Sequence, residues 1–123
     1  MSGIITTGTD IIEISRIKDI VSNWKTAFLN RVYTPQELEI CNNSPARLAG
    51  RFAAKEAVLK AINPRQTTWN WREIEILATP EGRPTVSLSG NLLIESKKKG
   101  IRHFDVSISH CRDYAVAVAV AQC

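Results

Sequence analysis

Four short stretches of this sequence hold residues that could do chemistry. They are Asp10 in GTDII, Glu56 and Lys60 in FAAKEAVLK, Gly82, Arg83 and Pro84 in EGRP, and Ser109 and His110 at the end of VSISH. Glu56 is the most demanding of them. At 100° per residue, Leu48, Phe52, Leu59 and Ile62 form one apolar stripe, widened by Ala49 and Ala53, and both Lys55 and Glu56 fall inside that arc. A carboxylate taken out of water needs a cation, a metal or a water-filled cleft beside it.

The spacing suggests where that partner comes from. Glu56 and Lys60 stand four residues apart on a helix, close enough to pair or to face one ligand together. A hard divalent cation such as Mg²⁺ takes oxygen ligands, keeps several waters and is held by one or two carboxylates together with substrate phosphates. Asp10 and Glu56 could form that carboxylate pair if the helix packs on the strand that carries Asp10. Lys60, Lys55, Arg51 and His110 would then surround the metal with donors suited to a polyphosphate. The combination reads as phosphoryl chemistry. Taken singly, Asp10 also fits a capping or turn residue, and His110 a satisfied surface or core imidazole.

Several elements must position these residues. Ile4 to Ile12 is rich in β-branched residues and predicts a strand on which Gly8, Asp10 and Ile12 share one face. A short helix follows from Ile14, with Ile14, Ile17, Val21 and Trp24 on one side. Thr34, Pro35 and Glu37 spell a capping box that opens a second helix. Ser44 and Pro45 open the long helix, which Asn63 and Pro64 stop after Ile62. Glu73 to Leu77, the turn TPEGRP and Thr85 to Leu88 form a hairpin. Asn91 to Lys99 is a helix whose Lys97, Lys98 and Lys99 suit its own negative end as a solvated run, with Gly100 as its stop. Phe104 to Ser109 and Tyr114 to Ala121 form a second hairpin across HCRD, the last strand carrying valines on one face and alanines on the other. The order predicts an α+β fold with a largely antiparallel sheet packed against a long central helix.

Composition narrows the setting. The chain has 123 residues, the size of one ordinary domain, with 44% hydrophobic and 23% charged residues. The longest apolar run is too short to span a bilayer, and the opening MSGIITTG has neither a basic start nor a long apolar segment, which fits a cytoplasmic protein without a membrane span. Cys41, Cys111 and Cys123 form no CxxC pair and read as reduced thiols. A net charge of +4 favours an acidic partner. Nucleic acid is one such partner, and Trp24, Trp69 and Trp71 could serve it, but no RNP-like or glycine-rich signature accompanies them. A non-catalytic module binding acidic proteins would keep the basic surface without needing Asp10, Glu56 and Lys60 together.

The stretches TTGTDIIEISRI, RVYTPQEL, ARLAGRFAAKEAVLKA, EGRPTVSLSG and VSISHCRDYAVAVAV, in this order, resemble the holo-[acyl-carrier-protein] synthases, the short class of 4'-phosphopantetheinyl transferases. The resemblance implies one transferase domain over residues 1–123. It implies transfer of the phosphopantetheine arm of coenzyme A to a serine of an acidic apo-acyl carrier protein, with Mg²⁺, release of 3',5'-ADP and a role in fatty acid biosynthesis. Asp10 and Glu56 become metal ligands, and Lys60 and His110 contacts of the pyrophosphate. Arg47, Arg51, Gly82, Arg83, Pro84 and Ser109 become residues of the coenzyme A site. Glu56, directly or through a water, becomes the acceptor of the serine proton. Arg16 becomes a residue facing the carrier, with Lys18, Lys25 and Arg31 as neighbours on that surface. Ile12 stands where longer, pseudo-dimeric relatives carry the second acid of a D-x-E pair, which fits the short class. Members of that class are trimers with the site between chains, so a homotrimer is expected.

Overall fold

The computed structural model describes residues 4–65 and 68–123. Strand β1 (Ile5–Glu13) runs directly into helix α1 (Ile14–Val32), which is followed by α2 (Pro35–Cys41) and the long α3 (Pro45–Ile62). A 3₁₀ turn at Trp71–Glu73 leads to the hairpin β2 (Ile74–Ala78) and β3 (Pro84–Leu88), and then to α4 (Gly90–Lys98), β4 (His103–His110) and β5 (Tyr114–Gln122). All pairings are antiparallel. One sheet has the order β1-β5-β4, and β2 and β3 form a second.

The alternation in β5 explains how α3 reaches the sheet. Ala117, Ala119 and Ala121 are buried on one face with Ala53, Ala54, Ala57 and Ala61 of α3, and Ala115 with Leu48 and Ala49, while Val116 and Val118 stay exposed on the other. Small side chains on both surfaces let backbone approach backbone. The closest point is Gly8 on β1, where an added Cβ would sit 2.0 Å from the carbonyl oxygen of Ala57. The hydroxyl of Thr6 donates to the carbonyl of Ala61 at 2.9 Å and fixes the same approach further along.

Capping follows the expected chemistry. The Thr34 side chain accepts from the Glu37 N–H, and the Glu37 side chain accepts from the Thr34 N–H. Ser44 caps α3, and Asn63 ends it in a left-handed conformation. Glu37 then does more than cap. Fully buried, it lies 2.7 Å from Lys55 Nζ and accepts from the Ile76 N–H at 2.6 Å. Lys55 also donates to the carbonyls of Trp71, at 3.1 Å, and Ile74, at 2.5 Å. Burial lowers the pKa of Lys55 and the adjacent Glu37 carboxylate opposes that shift; four further hydrogen bonds, two to Glu37 and two from Lys55, hold the buried pair.

Three local expectations are corrected. Helix α1 is not short: it runs for 19 residues with a break at Trp24 (φ −132°, ψ 31°). Trp24 is consequently 67% exposed rather than turned inward, because the break ends the regular 100° progression. Lys99 does not serve the end of its own helix in solvent; its ammonium donates to the carbonyls of Ile62 and Asn63 and caps the C-terminus of α3. Trp69 and Trp71, by contrast, take the packing role that their shared face in an extended chain suggests: they meet edge-to-face at 4.9 Å, and Trp71 lies 5.3 Å from Phe52.

Candidate active site

Asp10 lies on the α3-facing side of β1, two residues beyond Gly8. Glu56 and Lys60 lie on α3, flanking the Ala57 that touches Gly8, so the tight crossing brings them to Asp10. Lys60 Nζ donates to the Thr9 carbonyl at 2.9 Å and stands 3.5 Å from Asp10 Oδ1. Glu56 is partly buried. Desolvation raises its pKa, the neighbouring Asp10 carboxylate raises it further, and Lys60 pulls it back. Two carboxylates this close to one another make a site with room for a cation between them.

Asp10 and Glu56 line a cavity of about 280 Å³, and Arg16 at the start of α1 lines it with them. The remaining wall is apolar, including Ile17, Ile20, Phe28 and Phe52. A polar edge beside an apolar wall suits the docking of a group that carries one reacting hydroxyl. Among the described residues no group of three or more His, Cys, Asp or Glu is placed to hold a metal, so the protein offers a cation here only two carboxylates.

The other expected residues lie elsewhere on the same chain. Lys55 does not face the carboxylates, because it is fully buried against Glu37. His110 lines a different cavity, of about 450 Å³, with Lys18, Ser44 and Arg112. The register explains the separation: Ile12 and His110 both pair with Ala115, from opposite sides of β5. Their backbones are therefore two strand spacings apart, about 10 Å. Arg83 and Pro84 line a third cavity, of about 420 Å³, which Arg102, His103, Phe104 and Asp105 complete. Gly82 closes the preceding turn at φ 89°, donating its N–H to the Thr79 carbonyl at 2.8 Å. Arg102, His103 and Asp105 were not singled out from sequence. No local pattern announced them, because they meet Arg83 only where the turn before β3 comes to rest beside β4.

Arg47 and Arg51 stand one turn apart on α3. Arg47 is exposed and reaches the Ile40 carbonyl at 3.5 Å, whereas the Nε of Arg51 is buried without an acceptor among the described residues. Both guanidiniums oppose the effect of burial on the Cys41 thiol, whose pKa is nonetheless raised to about 11. Ser109 is exposed on the face of the β1-β5-β4 sheet opposite α3, paired with Val116. That face carries Ile5, Ile11 and Val118 at 58%, 64% and 41% exposure, an apolar surface that no element among the described residues covers. Of the charges expected along α1, Arg16 and Lys18 line different cavities, while Lys25 and Arg31 are exposed further along, Arg31 near Arg72. No helix of the described residues is long and apolar enough to cross a membrane.

Comparison with known proteins bears on the arrangement. Residues 6–119 match the 4'-phosphopantetheinyl transferase superfamily. A holo-[acyl-carrier-protein] synthase of Dehalococcoides mccartyi is 50% identical over 117 residues, covering 94% of this chain and 97% of the relative. The crystal structure of Helicobacter pylori holo-[acyl-carrier-protein] synthase in complex with coenzyme A superposes with a TM-score of 0.82 at 32% identity, covering 94% of this chain and 98% of that one. The acyl carrier protein synthase of Plasmodium yoelii with ADP bound gives 0.86 at 28% identity, covering 99% and 97%. Agreement in sequence, in fold and over nearly the full length of each relative has one meaning: the chain belongs to the 4'-phosphopantetheinyl transferase superfamily.

Proposed function

We propose that this protein moves the 4'-phosphopantetheine group of coenzyme A onto a serine hydroxyl of apo-acyl carrier protein and releases 3',5'-ADP. The observation that carries the reading is the meeting of Asp10, Glu56 and Lys60 at the Gly8–Ala57 crossing. The serine oxygen attacks the phosphorus that bears the pantetheine arm, and the bond to the phosphate of 3',5'-ADP breaks. Glu56, with its affinity for a proton raised by burial and by Asp10, accepts the serine proton directly or through a water. Lys60, tied to β1 through the Thr9 carbonyl, is held where charge grows on the departing phosphate. In-line displacement then needs mainly positioning.

Asp10 and Glu56 are the residues that would hold Mg²⁺, leaving its other positions to substrate phosphate and water, as that ion prefers. When bound it neutralises pyrophosphate charge that otherwise repels the incoming oxygen. The basic cavities around Arg83 and His110 are suited to the nucleotide and its phosphates, and Pro84 lines the first of them; Arg47, Arg51, Gly82 and Ser109 line neither and are assigned to the coenzyme A site by the resemblance alone. The two basic cavities are separate from the Asp10 cavity within one chain. A homotrimer packed through the open face of the β1-β5-β4 sheet reconciles the two, each site taking carboxylates from one copy and nucleotide contacts from the next. The net charge of +4 and the basic residues Arg16, Lys18, Lys25 and Arg31 suit an acidic carrier. Fatty acid biosynthesis in the cytoplasm is the setting that agrees with such a carrier.

The deciding experiment is the intact mass of an apo-acyl carrier protein after incubation with this protein, coenzyme A and Mg²⁺. A gain of one phosphopantetheinyl group, lost with EDTA and with Asp10→Ala, is expected. No gain with any of several carriers would reject the reading.

A further inference from the structure

Arg83 is the one residue of the EGRP turn whose side chain is tied to another element. Its Nη2 lies 2.6 and 2.7 Å from the two carboxylate oxygens of Asp105 on β4. Both contacts fall on the same nitrogen. Nη1 and Nε have no protein acceptor among the described residues, so that edge of the guanidinium is open and able to donate to a ligand. The pair is half exposed, at 62% for Arg83 and 47% for Asp105, where an ion pair contributes little to folding. What it does contribute is order. A free arginine on a turn loses much rotamer freedom on gripping a ligand, and a carboxylate that has already fixed the guanidinium removes part of that loss.

The surroundings identify the ligand class. The cavity beside the pair is also lined by Arg102, a second source of positive charge, and by His103, whose ring nitrogens can hydrogen-bond. Two guanidiniums lining one cavity, one of them already fixed in place, suit the phosphate groups of a nucleotide. Asp105 is anchored in a paired strand, opposite Val120 of β5, whereas Arg83 stands at the end of a turn. Rigidity therefore passes from strand to turn.

We propose that Asp105 is a positioning residue for the nucleotide end of coenzyme A, presenting the free edge of Arg83 to it without touching the reacting atoms. The inference rests on the transferase reading above. Although Asp105 brings a negative charge toward an anionic ligand, that charge is neutralised by its contacts with Arg83, and Arg102 keeps the cavity basic.

The test compares Asp105→Ala, Asp105→Asn, Arg83→Ala and the double variant Arg83→Ala/Asp105→Ala in the transfer assay and in calorimetric titration with 3',5'-ADP. The expected result for Asp105→Ala is a rise in the coenzyme A KM and in the 3',5'-ADP Kd of about fivefold, within the range of coupling between contacting residues. kcat should change less than KM, and the carrier KM and the melting temperature should stay as in the parent protein. Asp105→Asn, which keeps an acceptor oxygen for Nη2, should recover part of the loss. The double variant should be no worse than Arg83→Ala alone. An unchanged or tighter 3',5'-ADP Kd in Asp105→Ala, or additive effects in the double variant, would overturn the proposal. If the parent protein binds 3',5'-ADP but transfers nothing, the transferase reading fails while the titrations still decide the role of Asp105. If it does not bind 3',5'-ADP, both fail.

Discussion

Lys60 Nζ stands 3.5 Å from Asp10 Oδ1 while donating to the carbonyl of Thr9 at 2.9 Å, so the cation on α3 is pinned to the strand that carries the carboxylate. The contact with the Thr9 carbonyl is independent of the charge of Asp10. Lys60 therefore keeps a tie to β1 that does not depend on what Asp10 binds. Its electrostatic centre is Glu56, between an acid that repels it and a base that attracts it.

Glu56→Gln should lose turnover and gain stability. Without its proton acceptor, kcat should fall by about 10² to 10⁴. The folded-state pKa of Glu56 is raised, so the folded protein binds this proton more tightly than the unfolded chain, and parent stability falls as pH rises from the ordinary carboxylate range through the raised value. The neutral variant lacks that loss. It should melt higher than the parent at neutral pH, with the difference vanishing below about pH 4. Mg²⁺ should raise the melting temperature of the parent more than that of the variant. Scanning calorimetry across pH checks each statement, and equal melting at all pH values would contradict them.

Gly8→Ala should separate β1 from α3. Its new Cβ would meet the Ala57 carbonyl at 2.0 Å, and backbone cannot move aside alone. A stability loss of about 3 kcal/mol or more is expected in urea denaturation. The fraction that stays folded should transfer poorly even at saturating substrate, since Asp10 on β1 is moved away from Glu56 on α3.

Lys55→Met should be far worse than its buried position alone suggests. It leaves the Glu37 carboxylate without its cation in a dry core, which costs about 3–5 kcal/mol. The double variant Glu37→Gln/Lys55→Met should lose less than the sum of the two single variants, as urea denaturation of the four proteins would show.

Val118→Asp, on the open face of the three-stranded sheet, should dissociate a trimer without unfolding the chain. Sedimentation should give a three-chain mass for the parent and a one-chain mass for the variant. Transfer activity should disappear with the trimer while the far-ultraviolet circular dichroism is retained.

Arg16→Glu should raise the carrier KM about tenfold, an effect of reversed charge at a steered encounter, and should move the coenzyme A KM less. Raising the ionic strength should shrink the difference between parent and variant. An unchanged carrier KM would remove Arg16 from the carrier surface.

By itself the sequence determined what depends on nearest neighbours along the chain. Thr34 with Glu37, Ser44 with Pro45, and the period-two alternation of β5 each act within a few residues, and each takes its expected place. The clustering of Asp10, Glu56 and Lys60 was legible too, because apolar periodicity and small residues already dictate how a helix crosses a strand. Tertiary structure decided the rest. Lys55 and Glu56 are adjacent on one arc, and only the position of α2 sends Lys55 to a buried carboxylate and leaves Glu56 beside the cavity. The break at Trp24, the capping of α3 by Lys99, and the grip of Asp105 on Arg83 all depend on where distant segments come to rest. Such contacts are set by the packing of whole elements against one another, which no local pattern of residue types encodes.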